Sequence, residues 1–182
     1  MRKKYLLLYT CLLVTALHIN AQCKQRKRPN VLFICIDDLR RELGVYGSEV
    51  ITPNIDGLAA EGSLFLHHYA QVPTSGASRA CMLTGRLPKN KNDLSNEACK
   101  IRLSSKAEGD EPETLFHQLK RNGYYTVGIG KISHYADGYL YGYSKPVSQK
   151  LELPYSWSEM LFDAGKWGTG WNAFFGYSDG SN

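Results

Sequence analysis

The sequence predicts an α/β fold with a mostly parallel sheet flanked by helices, and three observations support that prediction. Residues 31–36 form an unbroken apolar run, which is typical of a strand buried on both faces of a parallel sheet. Helical and strand patterns then alternate along the chain, as they do in α/β proteins. The 182 residues are 43% hydrophobic and 21% charged, an ordinary globular composition. One domain, or most of one, is therefore expected.

The other elements follow the apolar run in order. Thr52-Pro53 opens a helix that carries an apolar stripe and stops at Gly62. The remaining elements are a strand over 63–69, helices over 78–86 and 113–122, and a strand over 124–129. The polar residues 89–110 are expected to be exposed. Three strands are few for this architecture, so we expect the chain to be cut short at its C-terminal end.

The N-terminus predicts export. A basic start precedes an apolar stretch over 5–19, and the small residue Ala21 follows, which is the pattern of a secretory signal. The stretch is shorter than the roughly 18–20 residues of a membrane-spanning helix. We therefore divide the chain into a signal peptide over 1–21, a polar leader over 22–29 and a folded part over 30–182. The mature protein is expected in the periplasm or outside the cell.

Cys23 leaves attachment to a lipid open. Lipidation would make the protein an outer-membrane lipoprotein, but Gln22 stands where such cleavage sites usually carry Gly, Ala or Ser. We expect contact with a membrane only if Cys23 is lipidated. Removal of the signal leaves 19 basic against 17 acidic side chains. No basic face with interleaved aromatic residues follows, so nucleic-acid binding is not expected.

The cysteines do not predict a metal centre. Outside the signal they stand at 23, 35, 81 and 99, without a CxxC pair and without the histidine spacing of zinc sites. Cys35 lies in the apolar run and Cys81 in a predicted helix, so both are interpreted as small core residues. An oxidising compartment permits a disulfide, but no pairing can be assigned.

Two carboxylates, Asp37 and Asp38, end the apolar run. In open α/β sheets, ligand sites gather at the carboxyl ends of the strands. Paired carboxylates also supply the hard oxygen atoms that Ca²⁺ or Mg²⁺ prefers. Taken alone, the pair favours the alternative of a helix cap beside a solvated carboxylate.

Five ordered segments favour a cation site at Asp37 and Asp38 over this alternative. They are RPNVLFICIDDLR at 28–40, LGVYG at 43–47, TPNIDGLAAEGSLF at 52–65, SGASRACMLTGR at 75–86 and GYYTVGIGKISH at 123–134. In this order and spacing the chain resembles the sulfatase family over roughly residues 28–160. With YSWSE at 155–159 it is most similar to the iduronate-2-sulfatase branch.

The resemblance implies an alkaline-phosphatase-like α/β fold and a nucleophile that is made after translation. Ser75 heads a C/S-x-P/A-S-R motif, so it matches the residue that is converted to formylglycine, whose hydrated aldehyde would attack sulfur. The other matches are Arg79, Lys131 and His134 for contacts to the diol and the sulfate, and Asp37, Asp38 and the modified Ser75 for a calcium ion.

The spacing of the fourth segment fits this chemistry. If the chain is helical from Ser75, Arg79 lies one turn further on the same face, where its guanidinium can hold the diol and offset negative charge. The start of a helix also favours an anion through its free N–H groups and its dipole.

Three features depart from the commonest sulfatase pattern. Ser75 replaces cysteine, so conversion would need an oxygen-independent, radical-type sulfatase-maturing enzyme. Ala77 stands where proline is commoner, which leaves the side chains of Ser75 and Arg79 in place. The family's remaining calcium ligands, with a further lysine and histidine, come from later sequence, and Ca²⁺ usually takes six or more oxygen atoms.

The predicted function is hydrolysis of a sulfuric ester, with a sulfated saccharide such as a glycosaminoglycan fragment as substrate. Two alternatives stay open. The chain could be a truncated sulfatase fragment without catalysis, or a hydrolase of phosphate or phosphonate esters from the same superfamily. The second alternative is the weaker one, because the unmodified nucleophiles of those relatives do not sit in an S-x-A-S-R frame.

Overall fold

Short helices joined by loops make up most of the described structure. The computed structural model describes residues 28–102, 113–143 and 145–176. Its α-helices are α1 (Pro53–Glu61), α2 (Ser75–Thr84), α3 (Ala98–Arg102), α4 (Leu115–Arg121) and α5 (Gly170–Phe175). Single 3-10 turns cover Gly44–Tyr46, Lys91–Leu94 and Gly165–Trp167. Within these described ranges, every helix is too short or too polar to span a lipid bilayer.

One pair of parallel strands forms the sheet of the described residues. Strand β1 (Val127–Gly128) pairs with β2 (Glu159–Met160), with Val127 opposite Glu159 and Gly128 opposite Met160. The hydroxyl of Thr126 donates to the Ser156 carbonyl at 2.8 Å beside this pair. The parallel direction agrees with the prediction, but the strand predicted over 124–129 is shorter, and β2 was not predicted.

The strand predicted over 31–36 is absent from the described structure. The chain divides into two units between Ile34 and Cys35, and the first contributes only residues 28–34 to the description. Val31, Leu32 and Ile34 are exposed there, and Ile36 is exposed in the second unit. A strand buried on both faces needs a paired neighbour on each side, and the described residues supply none for this run.

The strand predicted over 63–69 is also wrong. These residues are irregular apart from a bend at 66–67, and Leu64, Phe65 and Leu66 are all exposed. The apolar alternation that suggested a strand therefore does not correspond to one buried face. The signal peptide, Cys23 and most of the leader lie outside the described residues.

The three predicted helices are present, but two have other bounds: α2 covers Ser75–Thr84 instead of 78–86, and α4 covers Leu115–Arg121 instead of 113–122. Helix α1 begins at Pro53 and ends before Gly62, although Thr52 does not cap it. The Thr52 hydroxyl instead accepts from the Gly44 N–H at 2.9 Å and donates to Asp56 at 3.0 Å. Helix α2 ends at Gly85, whose left-handed φ of 65° suits a residue without a Cβ.

Helix α2 packs closely on the segment that follows it. A Cβ at Gly76 would lie 2.1 Å from the backbone oxygen of Asn96, so only glycine permits this approach. Asp93, Ala98 and Cys99 are buried in the same region. The exposure predicted for residues 89–110 is therefore wrong for these residues, and residues 103–112 lie outside the description.

The Tyr- and Trp-rich residues after Asp137 are well packed despite their weak periodicity. Glu152, Leu153 and Trp157 are buried. The Tyr141 hydroxyl donates to Asp137 and accepts from the Gly170 N–H, which opens helix α5. Burial, with that bond to Asp137, raises the pKa of Tyr141 to about 12. Contacts of Trp171 with Tyr135 and of Phe174 with Lys131 place α5 close to residues 131–135.

Candidate active site

Arg79 is the centre of the candidate site. Its side chain is only 6% exposed, and it lies one turn after Ser75 on α2. Its Nε donates to the Ser75 Oγ at 3.4 Å, and its Nη1 donates to the carbonyl oxygens of Lys131 at 3.1 Å and Ile132 at 3.0 Å. One guanidinium therefore joins the start of α2 to the loop that follows β1.

Asp37 is shared between two cations. Its Oδ1 lies 2.6 Å from the Arg79 Nη2, and its Oδ2 lies 2.6 Å from the Lys131 Nζ. Burial alone would raise the pKa of Asp37, but hydrogen bonds from Lys131 and Arg79 outweigh it and lower the pKa below its ordinary value. Two cations against one carboxylate leave a positive charge in a partly desolvated place, which attracts an anion.

Ser75 is the first residue of α2 and is half-buried. Thr74 before it is extended and makes no side-chain cap, so another residue must partner the first N–H groups of the helix. The Asn96 Oδ1 accepts from the Gly76 N–H at 3.0 Å. The predicted placement of Ser75 and Arg79 on one helix face is present in the structure, and their catalytic roles stay predictions.

Asp38 is exposed, unlike its neighbour Asp37. Its φ of 52° is in the left-handed region, which Asp tolerates better than most residues. None of the hydrogen bonds that Arg79 and Lys131 make to side chains goes to Asp38. The two adjacent carboxylates therefore have different environments, which their sequence did not predict.

His134 is half-buried beside the cluster rather than bonded to it. Its Nδ1 is buried and has no hydrogen-bond partner among the described residues. Burial lowers the pKa of His134, and the nearby Lys131 charge lowers it further. A neutral imidazole is therefore favoured near pH 7. Its ring lies 6.2 Å from that of Trp171 and 6.1 Å from that of Tyr135.

The described residues do not by themselves fit a calcium ion. Both Asp37 oxygens already accept from cations at 2.6 Å, and a Ca²⁺ site usually needs six or more oxygen atoms. Across the described ranges, His, Cys, Asp and Glu form no group of three that could hold a metal. Asp37 and Asp38 could contribute to such a site only together with oxygen atoms from elsewhere.

Three contacts of the site were missed by the sequence reasoning. The Cys35 Sγ lies 3.4 Å from the Arg79 Nη1, so this half-buried cysteine touches the site rather than filling the core. The Ile132 carbonyl holds the same nitrogen. Phe174 lies under the Lys131 Nζ, 3.9 Å from its ring centroid. Of the three, only the Cys35 contact could have been expected from the sequence, because Cys35 stands two residues before Asp37.

Cys81 is buried, as predicted, and Cys99 is buried as well. Cys35, Cys81 and Cys99 form no disulfide in the described structure.

Comparisons with known proteins agree on one family. A family model described as Sulfatase matches residues 29–179. Mouse iduronate 2-sulfatase is 34% identical over 134 residues, which cover 68% of this chain and 23% of that protein. An N-acetylglucosamine-6-O-sulfatase of Bacteroides thetaiotaomicron is 39% identical over 114 residues, covering 62% and 19%. An arylsulfatase of Clostridium perfringens is 35% identical over 118 residues, covering 64% and 23%.

The chain spans about a fifth to a quarter of the length of the curated relatives it matches. No solved structure matches it. The relatives include iduronate, hexosamine, aryl and steryl sulfatases at similar identity. They therefore indicate a sulfate ester as the class of substrate, but not which alcohol carries the sulfate. Sulfatases share the alkaline-phosphatase-like α/β fold and generally use Ca²⁺ and a formylglycine.

Proposed function

The chain belongs to the sulfatase family, and on that premise we propose that the whole protein hydrolyses sulfate esters, with residue 75 as its nucleophile. The observation that supports this most is the position of Arg79, which contacts Ser75, Asp37 and the Lys131 backbone together. Unmodified serine is a weak nucleophile. Conversion of Ser75 to formylglycine supplies a hydrated aldehyde that can attack sulfur.

Arg79 and Lys131 bind and orient the sulfate group in this proposal. The Arg79 Nε already points at the side chain of residue 75, and the guanidinium is held by two carbonyls and a carboxylate. Lys131 has three ammonium hydrogens, of which one goes to Asp37, and its Nζ also lies over the Phe174 ring, so a remaining hydrogen is proposed to donate to a sulfate oxygen. Because these groups are fixed before substrate arrives, little reorganisation is needed to stabilise charge in the transition state.

Asp37 positions the two cations. It holds Arg79 and Lys131 on opposite oxygens, which keeps their charges close without leaving them to repel each other. His134, neutral near pH 7 because burial and Lys131 lower its pKa, can hydrogen-bond a substrate oxygen through its imidazole. We include Asp37 and Asp38 as calcium ligands only in combination with ligands beyond those described.

The substrate we propose is a sulfated saccharide, of the kind that iduronate 2-sulfatase and N-acetylglucosamine-6-O-sulfatase are named for. The LGVYG, GKISH and YSWSE segments support the iduronate branch. Export to the periplasm or beyond is part of the proposal, supported by the basic and apolar pattern of residues 1–21. A radical-type maturing enzyme is the implied partner, because residue 75 is serine.

Hydrolysis of matched esters tests this function. The whole protein, coproduced with a radical maturing enzyme, is assayed on an aryl sulfate and on the corresponding aryl phosphate. We expect sulfate release to dominate and to fall about a thousandfold or more in Ser75→Ala. Ser75→Cys is the matched control, since cysteine can also be converted, and it should retain activity. Preferential phosphate release, or full activity in Ser75→Ala, would refute the proposal.

A further inference from the structure

Four aromatic side chains form a surface beside Lys131, which we call the aromatic platform: Tyr143, Trp171, Phe174 and Phe175. The Trp171 and Phe175 rings are nearly parallel, 11° apart with centroids 6.1 Å apart. Tyr143 lies 5.7 Å from Phe175, and Phe174 lies 6.4 Å from Trp171. Tyr143, Trp171 and Phe175 line an open hollow of about 510 Å³.

The platform touches the candidate site at two points. The Lys131 Nζ, which is ion-paired with Asp37, lies 3.9 Å from the Phe174 ring centroid. The His134 ring meets Trp171 edge-on at 6.2 Å. An anion held by Lys131 would therefore lie at the rim of the platform, and the group attached to that anion would extend over the rings.

The base of the platform is held in place. The Trp171 Nε1 donates to the Tyr141 carbonyl at 3.1 Å, and its ring packs against Tyr135 at 5.8 Å. The outer members are different, because Tyr143 and Phe175 are each 52% exposed. A fixed base with half-exposed outer rings presents a preformed surface to a ligand.

We propose that the aromatic platform binds the sugar ring of the substrate while Lys131 binds its sulfate. This inference rests on the proposed function, and it identifies the residues that would recognise the saccharide part of the substrate. The hollow is open, so a ligand lying in it keeps its far side in water. A pyranose suits such a place because one face carries apolar C–H groups, which favour the negative face of an aromatic ring, and its hydroxyls remain hydrated. A wholly apolar alcohol would leave apolar surface in water.

Binding by the 182-residue chain tests the proposal without requiring turnover. NMR titrations compare inorganic sulfate, N-acetylglucosamine, N-acetylglucosamine 6-sulfate and phenyl sulfate. We expect the sulfated sugar to bind about threefold to tenfold more tightly than inorganic sulfate, the gain of one or two aromatic contacts. Phe175→Ala and Tyr143→Ala should each reduce that gain and leave the affinity for inorganic sulfate unchanged. Phe65→Ala, an exposed phenylalanine outside the platform, is the matched control and should change neither.

The outcomes separate this inference from the proposed function. Equal affinity for sulfate and sulfated sugar, or a gain that survives in both platform variants, would overturn the platform and leave the sulfate site standing. Tighter binding of phenyl sulfate than of the sulfated sugar would assign the platform to aryl esters instead. If inorganic sulfate fails to bind while unsulfated N-acetylglucosamine binds in a Phe175-dependent way, the platform stands and the proposed sulfate site fails.

Discussion

Helices α1 and α2 have nearly the same length and very different surroundings. None of the nine residues of α1 is buried, whereas six of the ten residues of α2 are, including Arg79. The cations of the candidate site come from α2 and the loop after β1, which are packed together. Asp37 reaches them from a segment with exposed apolar neighbours. The site therefore joins a well-packed region to a thinly packed one through ion pairs, and this division can be tested.

The largest effect is expected from the same substitution made in both helices. Gly76→Ala places a Cβ 2.1 Å from the Asn96 backbone, so we expect a loss of about 3 kcal/mol in the free energy of unfolding. Gly57→Ala in α1 has open space around it and should stabilise by about 0.5–1 kcal/mol. Urea denaturation measures both, and similar effects at the two positions would break the contrast.

The junction between the two regions is tested by the adjacent aspartates. Asp37→Asn removes the carboxylate that balances Arg79 and Lys131, and we expect a loss of about 2–3 kcal/mol, less than for a fully buried pair. Asp38→Asn should be nearly neutral, because residue 38 is exposed and asparagine accepts its left-handed backbone. Thermal or urea unfolding that ranks the two the other way would show that Asp37 does not hold the regions together.

The interior of the packed region carries a pH-dependent test. Glu152 has 0% exposure, and its Oε2 accepts from the Tyr135 N–H at 2.9 Å. Burial raises the pKa of Glu152 above 4.5, so its contribution to stability is present below that pH and is lost as pH rises through the folded-state pKa. Glu152→Gln keeps an acceptor for Tyr135 and has no charge. We expect its stability relative to wild type to improve as the pH rises from 4 to 7, because only the wild type must ionise a buried carboxyl group.

Glu152→Ala provides the control for that test. It removes the acceptor as well as the charge, so it should be destabilising at both pH values by about 2 kcal/mol. A Glu152→Gln variant whose relative stability does not change with pH would contradict the assignment of a buried, raised-pKa carboxyl group. Urea denaturation at the two pH values measures both variants.

The smallest effect is expected on the surface of α1. Leu58 is 66% exposed, so Leu58→Gln should change the free energy of unfolding by no more than about 0.5 kcal/mol. Leu83→Gln, at a buried position of α2, is the comparison and should cost several times as much. If Leu58→Gln costs more than about 1.5 kcal/mol, the apolar face of α1 is covered and the contrast with α2 is smaller than described.

Local patterns predicted the helices better than the strands. Thr52-Pro53 and Gly62 bracket α1, because capping and breaking residues act within one turn of chain. The helix predicted over 78–86 is α2, which begins at Ser75 and ends before Gly85, so its bounds were predicted less well. The strands over 31–36 and 63–69 were inferred from apolar residues alone, and a strand also depends on partners distant in sequence. Strand β2 was missed for the same reason, since its two residues carry no periodic pattern of their own.

The sequence indicated which residues lie near Arg79 better than it indicated the contacts that they make. Spacing along a helix was enough to bring Arg79 to Ser75, and Asp37 and Lys131 do lie beside them. The different surroundings of Asp37 and Asp38 were not predicted, and residue 38 has a left-handed φ of 52°. The contact of Phe174 with Lys131 spans 43 positions of sequence without a motif, so only the fold could reveal it.

The state of residue 75 tests the central claim most directly. The chain is produced with a radical-type sulfatase-maturing enzyme that is shown to convert a serine-type substrate, and residue 75 is analysed by mass spectrometry of its tryptic peptide. We predict an aldehyde at position 75 in the wild type and in Ser78→Ala, which alters the other serine of the motif, and none in Ser75→Ala. An unmodified Ser75, or an aldehyde at Ser78 instead, would contradict the assignment of the nucleophile.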